Sequence, residues 1–332
     1  MPGYNQTAVL EFILLGFPDL HAFWLFVFLL LLIVYVLTML GNVLIIGLVS
    51  ATSHLQSPMY IFLTHLSLCD ILISTNVGPN TLKVVVSGKC SISARSCDLQ
   101  LYFFGASALI ECMLLAVMSY DRYLAICDPM HYTSIMNQSL PHCLAMICWV
   151  VGFLLSMITE ILILRLDFCG PNIIDHFFCD LAPLLQLSCS DIKSVEFHVS
   201  ITVIAIVITQ LLFVIGTYIC IFSSILQISS TNDRQKVFST CSSHLTVVSI
   251  YYGTLITLYL APSRRYSGNL NKIFSLLNTI VTPLCNPIIY SLRNKDIKSA
   301  IRKNMFAKNL LETVSSIVGW FGLYGIKFKM KN

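Results

Sequence analysis

The sequence predicts an all-α membrane protein, a bundle of seven transmembrane helices followed by a short amphipathic C-terminal helix. Of its 332 residues, 56% are hydrophobic and only 11% are charged, whereas soluble domains carry about 25% charged residues. Apolar stretches of about 20 residues recur along the chain, and each is long enough to cross the hydrocarbon core of a bilayer. The stretches are continuously apolar, which favours helices over a transmembrane barrel.

The seven predicted spans are separated by short polar segments that hold most of the charged residues. The second span begins at Pro58, which suits the first turn of a helix, and the fifth span is the richest in β-branched residues. No internal repeat is visible, so residues 1–308 form one domain, with an extension over residues 309–332. In chain order, the spans cover residues 23–50, 58–80, 98–120, 142–164, 197–226, 238–260 and 272–292.

The composition excludes several classes of protein. So few charged residues cannot cover a water-facing surface, which argues against a soluble enzyme, a disordered chain and a small secreted domain held by disulfides. The net charge of +4, from 20 basic and 16 acidic residues, is too small and too scattered for a nucleic-acid-binding surface. We therefore expect no nucleic-acid partner.

Charge and modification signals favour an extracellular N-terminus. In that orientation 12 basic residues face the cytoplasm and eight face outward, which follows the positive-inside rule. Asn5 opens the N-glycosylation sequon Asn5-Gln6-Thr7, which is used only on the extracellular side. Five of the 13 cysteines fall in the predicted extracellular loops, on the side of the membrane where disulfides persist.

Two carboxylates lie inside predicted spans, where ionisable residues are costly and mark candidate functional sites. Asp70 is near the middle of the second span, and Glu111 lies at a compatible depth in the third. Asn286, in the seventh span, could complete a cation site with them. The alternative is a satisfied polar network that holds the helices together, and the sequence leaves both interpretations open.

The third span ends in the dipeptide Asp121-Arg122, at the predicted cytoplasmic boundary. An arginine there can pair with a carboxylate in one state and contact a partner in another, which would make it a switch. The alternative is an ordinary arginine that extends to the interface, and the dipeptide alone favours this second interpretation.

Seven short motifs in and beside these spans are together far more specific than any one alone. They are GN at 41–42, PMYIFL at 58–63, LSLCD at 66–70, MSYDRYLAIC at 118–127, PMHY at 129–132, KVFSTCSSHL at 236–245 and PLCNPIIYSLRN at 283–294. In this set the chain resembles the olfactory receptors, which are rhodopsin-like G protein-coupled receptors, from about residue 8 to residue 308. The resemblance implies an odorant receptor of the plasma membrane and cilia of olfactory neurons, which couples to a stimulatory G protein that raises cyclic AMP.

The resemblance also implies roles for residues at the cytoplasmic end. Arg122 would be the switch that faces the G protein, with Asp121, Tyr218 and Tyr290 as its partners. His244, a lone histidine in the same half of the bundle, fits a hydrogen-bond partner that changes with state better than a metal ligand. The two buried carboxylates and the amide of the seventh span would form a sodium-responsive centre.

On the extracellular side, the resemblance implies two disulfides. Cys97 would bridge Cys179, and Cys169 would bridge Cys189 within one loop. This pairing leaves Cys90 as a free thiol.

The resemblance places the ligand pocket in the outer half of the bundle, where the third, fifth and sixth helices meet. A mainly apolar and aromatic lining with a few hydroxyl groups suits a small, neutral volatile, and Phe104 offers no carboxylate to a cationic amine. By family position, the lining would consist of Phe104, Gly105, Ala108, Leu109, Thr202, Ile206, Tyr252, Leu255 and Tyr259.

Two other functions were weighed against a receptor. A transporter or channel would show an internal repeat, broken mid-membrane helices or a polar pore stripe. None of these features is evident in the sequence beyond Asp70 and Glu111. An enzyme would carry a nucleophile with its base or a metal motif, and the sequence has no GxSxG, HExxH, P-loop or dinucleotide fingerprint. We therefore expect a receptor and not an enzyme, with no metal site and no cofactor beyond sodium in the bundle core.

Residues 309–332 depart from the family pattern, because family members usually end near residue 308. The extension carries Trp320 and Phe321 and then three alternating lysines between 327 and 331. Aromatic rings beside lysines suit an anionic membrane surface, which would make lipid a partner of this segment. The alternative is a dispensable extension.

Overall fold

The computed structural model of the chain describes residues 9–17, 23–169, 171–260, 268–293 and 297–302. The predicted glycosylation site Asn5 and the extension over residues 309–332 lie outside these described residues. Of the predicted amphipathic C-terminal helix, residues 297–302 are described. They are helical, and Ile297 and Ala300 pack into the core of the bundle.

The helices of the described chain, in order, are α1 (Trp24–Ala51), α2 (Pro58–Ser87), α3 (Ala94–Cys127), α4 (Pro129–Ile135), α5 (Leu140–Ile163), α6 (Leu181–Leu185), α7 (Lys193–Thr202), α8 (Thr209–Leu226), α9 (Thr231–Leu260), α10 (Gly268–Leu276) and α11 (Thr282–Arg293). Two π-helical turns join neighbouring helices without a break. Val203–Ile208 connects α7 to α8, and Leu277–Val281 connects α10 to α11.

Within the described residues, six helical segments are long and apolar enough to cross a membrane. They are α1, α2, α3, α5, the continuous helix of α7 and α8, and Leu270–Tyr290 within α10 and α11. The seventh long helix, α9, has 30 residues, and the Ser, Thr, Tyr and His residues along its apolar part lower its mean hydropathy. The helices also extend beyond the predicted spans, because regular backbone hydrogen bonding continues past the apolar stretch: α2 ends at Ser87 and α3 ends at Cys127.

The central helix of the bundle is α3, which packs against α2, α5 and α8. Of its 34 residues, 17 are buried, whereas α1 buries only five of its 28 residues. The apolar side chains of α1 therefore mostly point outward, as expected for a helix whose solvent is lipid.

A small sheet covers one end of the bundle, which we call the cap end. Its strands are β1 (Glu11–Leu15), β2 (Lys89–Ser93) and β3 (Ile173–Ile174), in the order β2-β1-β3. The central strand β1 pairs antiparallel with β2 and parallel with β3, and its Phe12 and Leu14 side chains are buried. The all-helical prediction holds for the bundle, and this sheet is an addition that it did not include, because strands this short depend on partners distant in the sequence.

Two disulfides fix the segment between α5 and α7 at the cap end. Cys97, on α3, is bonded to Cys179, and Cys169 is bonded to Cys189 within the segment. These are the two pairs that the resemblance implies. Cys90, in β2, is a buried free thiol.

Lys272, on α10, ties three parts of the cap end together. Its side chain is buried, and Nζ donates hydrogen bonds to the Asp175 carboxylate at 2.5 Å and to the Gly16 carbonyl oxygen at 3.0 Å. Nζ also lies 5.8 Å from the centre of the Phe17 ring. A buried ammonium is stable only when it is paired, so these contacts hold the N-terminal segment and the loop after β3 against α10.

His176 lies in the same loop and is buried against the ring of Phe177, with 4.5 Å between the ring centres. Burial, and secondly the positive charge of Lys272, lowers the pKa of His176 to about 3. In the unfolded chain the imidazole takes up a proton near pH 6.5. The folded protein therefore loses stability as the pH falls from about 6.5 toward 3, because only the unfolded chain gains the proton.

Gly152, on α5, provides a test of the packing between α5 and α3. A Cβ atom at this position would lie 2.5 Å from Cγ1 of Ile110 and 3.1 Å from the carbonyl oxygen of Ala106. We expect Gly152→Ala to lower the free energy of unfolding by about 1–3 kcal/mol through overpacking, measured as a lower melting temperature of the detergent-solubilised protein. Gly216→Ala is the matched control, because nothing lies within 4 Å of its Cβ position. Equal losses in the two variants would contradict the close approach of α3 and α5.

The pH dependence of His176 provides a second test. We expect the melting temperature of the solubilised protein to fall between pH 6.5 and 4.5, and His176→Phe to flatten this dependence. The uptake of one proton changes the free energy of unfolding by at most about 1.4 kcal/mol per pH unit. Gln186→Phe is the control, because it places the same ring at an exposed position of the same connecting segment without removing a titratable group, and it should leave the slope unchanged. A His176→Phe variant with the slope of the unmodified protein would rule out this histidine as the source.

Candidate functional site

A cavity of about 100 Å³ lies between α3, α5, α7 and α9 near the cap end. An engineered protein cavity of roughly 150 Å³ holds benzene. At the same volume per atom, this cavity suits a molecule of about four non-hydrogen atoms.

Six of the nine predicted pocket residues line this cavity. They are Phe104, Gly105, Ala108, Leu109, Thr202 and Leu255. Ile206 packs against the main core and is not among the residues that line the cavity, although Val203 and Val207 of the same π-helical turn line it. Tyr252 is turned toward α3, where its Oη donates to the Cys112 carbonyl oxygen at 3.2 Å. The side chain of Tyr259 lies outside the described residues.

The cavity has a polar side that the sequence analysis missed. Glu160, near the end of α5, and Asp180, just before α6, both line it, together with Ser156 and Thr159. Both acidic residues could have been identified from features of the sequence. Glu160 is an ionisable residue inside a predicted span, and Asp180 directly follows Cys179, whose disulfide brings it to α3.

Asp180 is held in place by its neighbours. Its Oδ1 accepts a hydrogen bond from the Leu181 amide at 2.9 Å, and the preceding Cys179 amide donates to Oε1 of Gln100, also at 2.9 Å. Gln100, on α3, in turn donates to the Asn76 carbonyl oxygen of α2 at 2.6 Å. Burial raises the pKa of Asp180 to about 6, and the hydrogen bond from Leu181 acts weakly in the opposite direction.

In the middle of the bundle, the three predicted ion-site residues meet. Nδ2 of Asn286 donates to both carboxylate oxygens of Asp70, at 3.0 and 3.1 Å, and lies 3.3 Å from Oε1 of Glu111. All three side chains are buried. The amide therefore holds two carboxyl groups from α2 and α3 against α11, and this contact links three helices.

Some oxygen atoms of this cluster could hold a cation. Oε2 of Glu111 and Oδ1 of Asn286 are buried and have no hydrogen-bond partner in the part of the chain that the structure describes. Carboxylate and amide oxygens are hard ligands that suit alkali and alkaline-earth cations better than transition metals. No group of three or more His, Cys, Asp or Glu side chains among the described residues forms a metal centre.

At the end of the bundle opposite the cap, four of the predicted switch residues gather. The guanidinium of Arg122 interacts electrostatically with Tyr218, His244 and Tyr290. Oη of Tyr218 lies 2.7 Å from Nδ1 of His244, and the two rings stack. The Tyr290 hydroxyl is buried and has no hydrogen-bond partner within the described ranges. A small shift of α11 relative to α8 could therefore give it one.

Asp121, the fifth predicted switch residue, makes a different contact. Its Oδ1 accepts a hydrogen bond from Oη of Tyr132, on α4, at 2.9 Å. The positive charge of the neighbouring Arg122 guanidinium also attracts this carboxylate. The contact fixes the short helix α4 against the end of α3.

Comparisons with known proteins agree with this architecture. The sequence profile described as olfactory receptor matches residues 31–308. Olfactory receptor 11L1 of Homo sapiens is 46% identical over 308 residues, which cover 93% of this chain and 96% of that protein. Olfactory receptor 5G9 of Mus musculus is 45% identical and covers 93% of this chain and 100% of its own length. Olfactory receptor 1500 of Rattus norvegicus is 44% identical, with 93% and 99% covered. The chain therefore belongs to the olfactory receptor family of seven-transmembrane G protein-coupled receptors, and it is a multi-pass membrane receptor and not an enzyme.

Proposed function

We propose that this odorant receptor binds a small, neutral volatile in the cavity near the cap end and activates a stimulatory G protein that raises cyclic AMP. The observation that carries the proposal is the position of α3. Near one end this helix lines the cavity with Phe104, Gly105 and Ala108, and near the other it carries Arg122 beside Tyr218 and Tyr290. A single central helix thus connects the ligand cavity with the candidate switch.

The proposed orientation places the cap end outside the cell and Arg122 at the cytoplasmic face. The two disulfides at the cap end support it, because disulfides persist in the extracellular environment. The site of action would be the plasma membrane and cilia of olfactory neurons. In this orientation a volatile reaches the cavity from outside, and the G protein contacts the opposite end.

The lining supports a neutral ligand of limited size. Most of its residues are apolar or aromatic, and such cavities bury a small molecule while a few polar groups fix its orientation. No Lys, Arg or His is among the described lining residues, so an anionic odorant would find no charge partner there. The expectation that the pocket offers no carboxylate to an amine is wrong, because Glu160 and Asp180 line the cavity, but a cationic odorant would carry a large desolvation penalty on leaving water. The volume of about 100 Å³ limits the ligand to a few heavy atoms in this conformation.

A bistable contact is needed to transmit binding to the G protein, and the residues around Arg122 supply candidates. Tyr218 is hydrogen-bonded to His244, whereas the buried Tyr290 hydroxyl has no hydrogen-bond partner within the described ranges. In the active state Tyr290 would gain a partner near Arg122, and Arg122 would become available to the G protein. An agonist would favour that state by binding it more tightly than the resting state.

The buried cluster around Asn286 supports a further part of the proposal, a sodium ion held by Asp70 and Glu111. A cation would offset the cost of placing two carboxyl groups within hydrogen-bonding distance of one amide inside the membrane. Because the cluster joins three helices, an ion bound there would stabilise one arrangement of the bundle over another.

The receptor function predicts an odorant-dependent rise of cyclic AMP that requires Arg122. Cells that express the chain with trafficking chaperones would be exposed to a broad odorant panel, with cyclic AMP and surface staining measured together. We expect at least one odorant to raise cyclic AMP, and Arg122→Ala to reduce that response at least about tenfold at equal surface staining, because the charge that faces the G protein is lost.

Arg165→Ala is the matched control. It removes the same charge from an exposed position near the cap end, away from the proposed G protein surface, and should respond like the unmodified receptor. A full response from Arg122→Ala, or no response of the well-expressed receptor to any odorant, would contradict the proposed function.

The sodium proposal predicts a specific salt effect on stability. We expect NaCl, compared with choline chloride at equal ionic strength, to raise the melting temperature of the solubilised receptor. At a sodium concentration ten times the dissociation constant, the free energy of unfolding rises by about 1.4 kcal/mol. Asp70→Asn should abolish the difference between the two salts, whereas Asp128→Asn, which changes a partly exposed carboxylate, should keep it. Equal melting temperatures in the two salts would refute sodium binding.

A further inference from the structure

The two acidic residues of the cavity come from separate elements and share one polar side. Glu160 is on α5, and Asp180 belongs to the disulfide-bonded segment before α6. The rest of the polar lining consists of hydroxyl groups, among them Ser156 and Thr202. The described lining contains no basic side chain. Glu160 and Asp180 therefore offer carboxyl oxygens as acceptors, and the neighbouring hydroxyl groups can donate or accept.

The two carboxyl groups differ in their present partners. Among the described residues, no side-chain or backbone donor is hydrogen-bonded to the Glu160 carboxyl group, and Asp98 adds further negative charge near it. Asp180 uses one oxygen for the Leu181 amide, and its side chain is 8% exposed. Glu160 is half-buried, and its acceptor oxygens would be costly to leave unused once a ligand excludes water from them.

We propose that the polar side formed by Glu160 and Asp180 accepts the hydroxyl group of a small aliphatic alcohol, while the apolar lining takes its alkyl chain. This inference rests on the proposed function, because it names the chemical class of the odorant that binds in the same cavity. A hydroxyl group donates to a carboxylate and accepts from a carboxylic acid. It therefore matches this wall in either protonation state of the two groups.

Other small volatiles of the same length match this wall less well. An aldehyde or an ether can accept a hydrogen bond from the hydroxyl groups of the lining, but it has no donor for the carboxylate oxygens of Glu160 and Asp180. A carboxylate would be repelled by the acidic residues and has no basic partner among the described lining residues. A primary ammonium would be attracted, but its removal from water into a mainly apolar cavity carries a large desolvation penalty. The alcohol alone combines a donor with low desolvation cost.

The test uses four three-carbon probes, 1-propanol, propanal, propanoate and propylamine, which match the size of the cavity. Concentration–response curves of cyclic AMP would be measured in cells that express the receptor, with surface staining. We expect 1-propanol to be more potent than propanal by about tenfold to a hundredfold, the range for a hydrogen bond to a charged group. Propanoate should be inactive, and propylamine weaker than 1-propanol.

The variant Glu160→Gln identifies the source of the preference. The amide keeps the size of the side chain, loses the charge-assisted acceptor and gains a donor. The ratio of the propanal EC50 to the 1-propanol EC50 should therefore fall at least about tenfold, a change in selectivity that a purely structural role would not produce. Glu196→Gln is the matched control, since Glu196 is exposed on α7 and does not line the cavity, and it should keep the ratio of the unmodified receptor.

Several outcomes would overturn the inference. Propanal or propylamine as potent as 1-propanol, or an unchanged EC50 ratio in Glu160→Gln, would show that the acidic wall does not select a hydroxyl group. A receptor that ignores all four probes but responds to other odorants of a broad panel would also refute it, while the proposed function stands. Silence toward the whole panel at normal surface staining would contradict the proposed function itself.

Discussion

The disulfide between Cys97 and Cys179 is the constraint on which the cap end of this receptor depends. It fastens a long connecting segment to the first turn of α3, the most buried helix of the bundle. Gln100, one turn further along α3, adds a hydrogen bond to the Cys179 amide. Because these contacts fix the segment, Asp180 lies on the wall of the cavity. The strand β3 in the same segment can then pair with the N-terminal strand.

Inside the bundle, directional contacts replace the hydrophobic effect that holds soluble proteins together. Lipid is as apolar as the side chains, so helices associate through close packing and interhelical hydrogen bonds. Gly152 lets α5 approach α3, and Asn286 bonds to carboxyl groups from two other helices. The Tyr251 hydroxyl donates to the Ala108 carbonyl oxygen, which joins α9 to α3. Such contacts have discrete alternatives, and this suits a protein that must exchange between two states.

The same central helix serves the cavity, the polar core and the Arg122 cluster. Phe104 lines the cavity, Glu111 lies in the polar core and Arg122 lies at the far end, all on α3. A change that alters how α3 packs against α8 or α11 therefore acts on all three places. Under the proposed function, an odorant, a sodium ion and a G protein would bias one equilibrium through α3 without direct contact between their sites.

The sequence by itself determined the bundle, the spans and the identity of the polar residues, because hydropathy, short motifs and ionisable residues in apolar stretches are local properties. The resemblance added the two disulfide pairs and most of the cavity lining. Only the tertiary structure decided which side chains face the cavity. Ile206 and Tyr252 lie outside its lining, while Glu160 and Asp180 lie on it. The direction of a side chain depends on the rotation of its helix, on the π-helical turn between α7 and α8, and on a segment fixed by a distant disulfide. Local periodicity encodes none of these three factors.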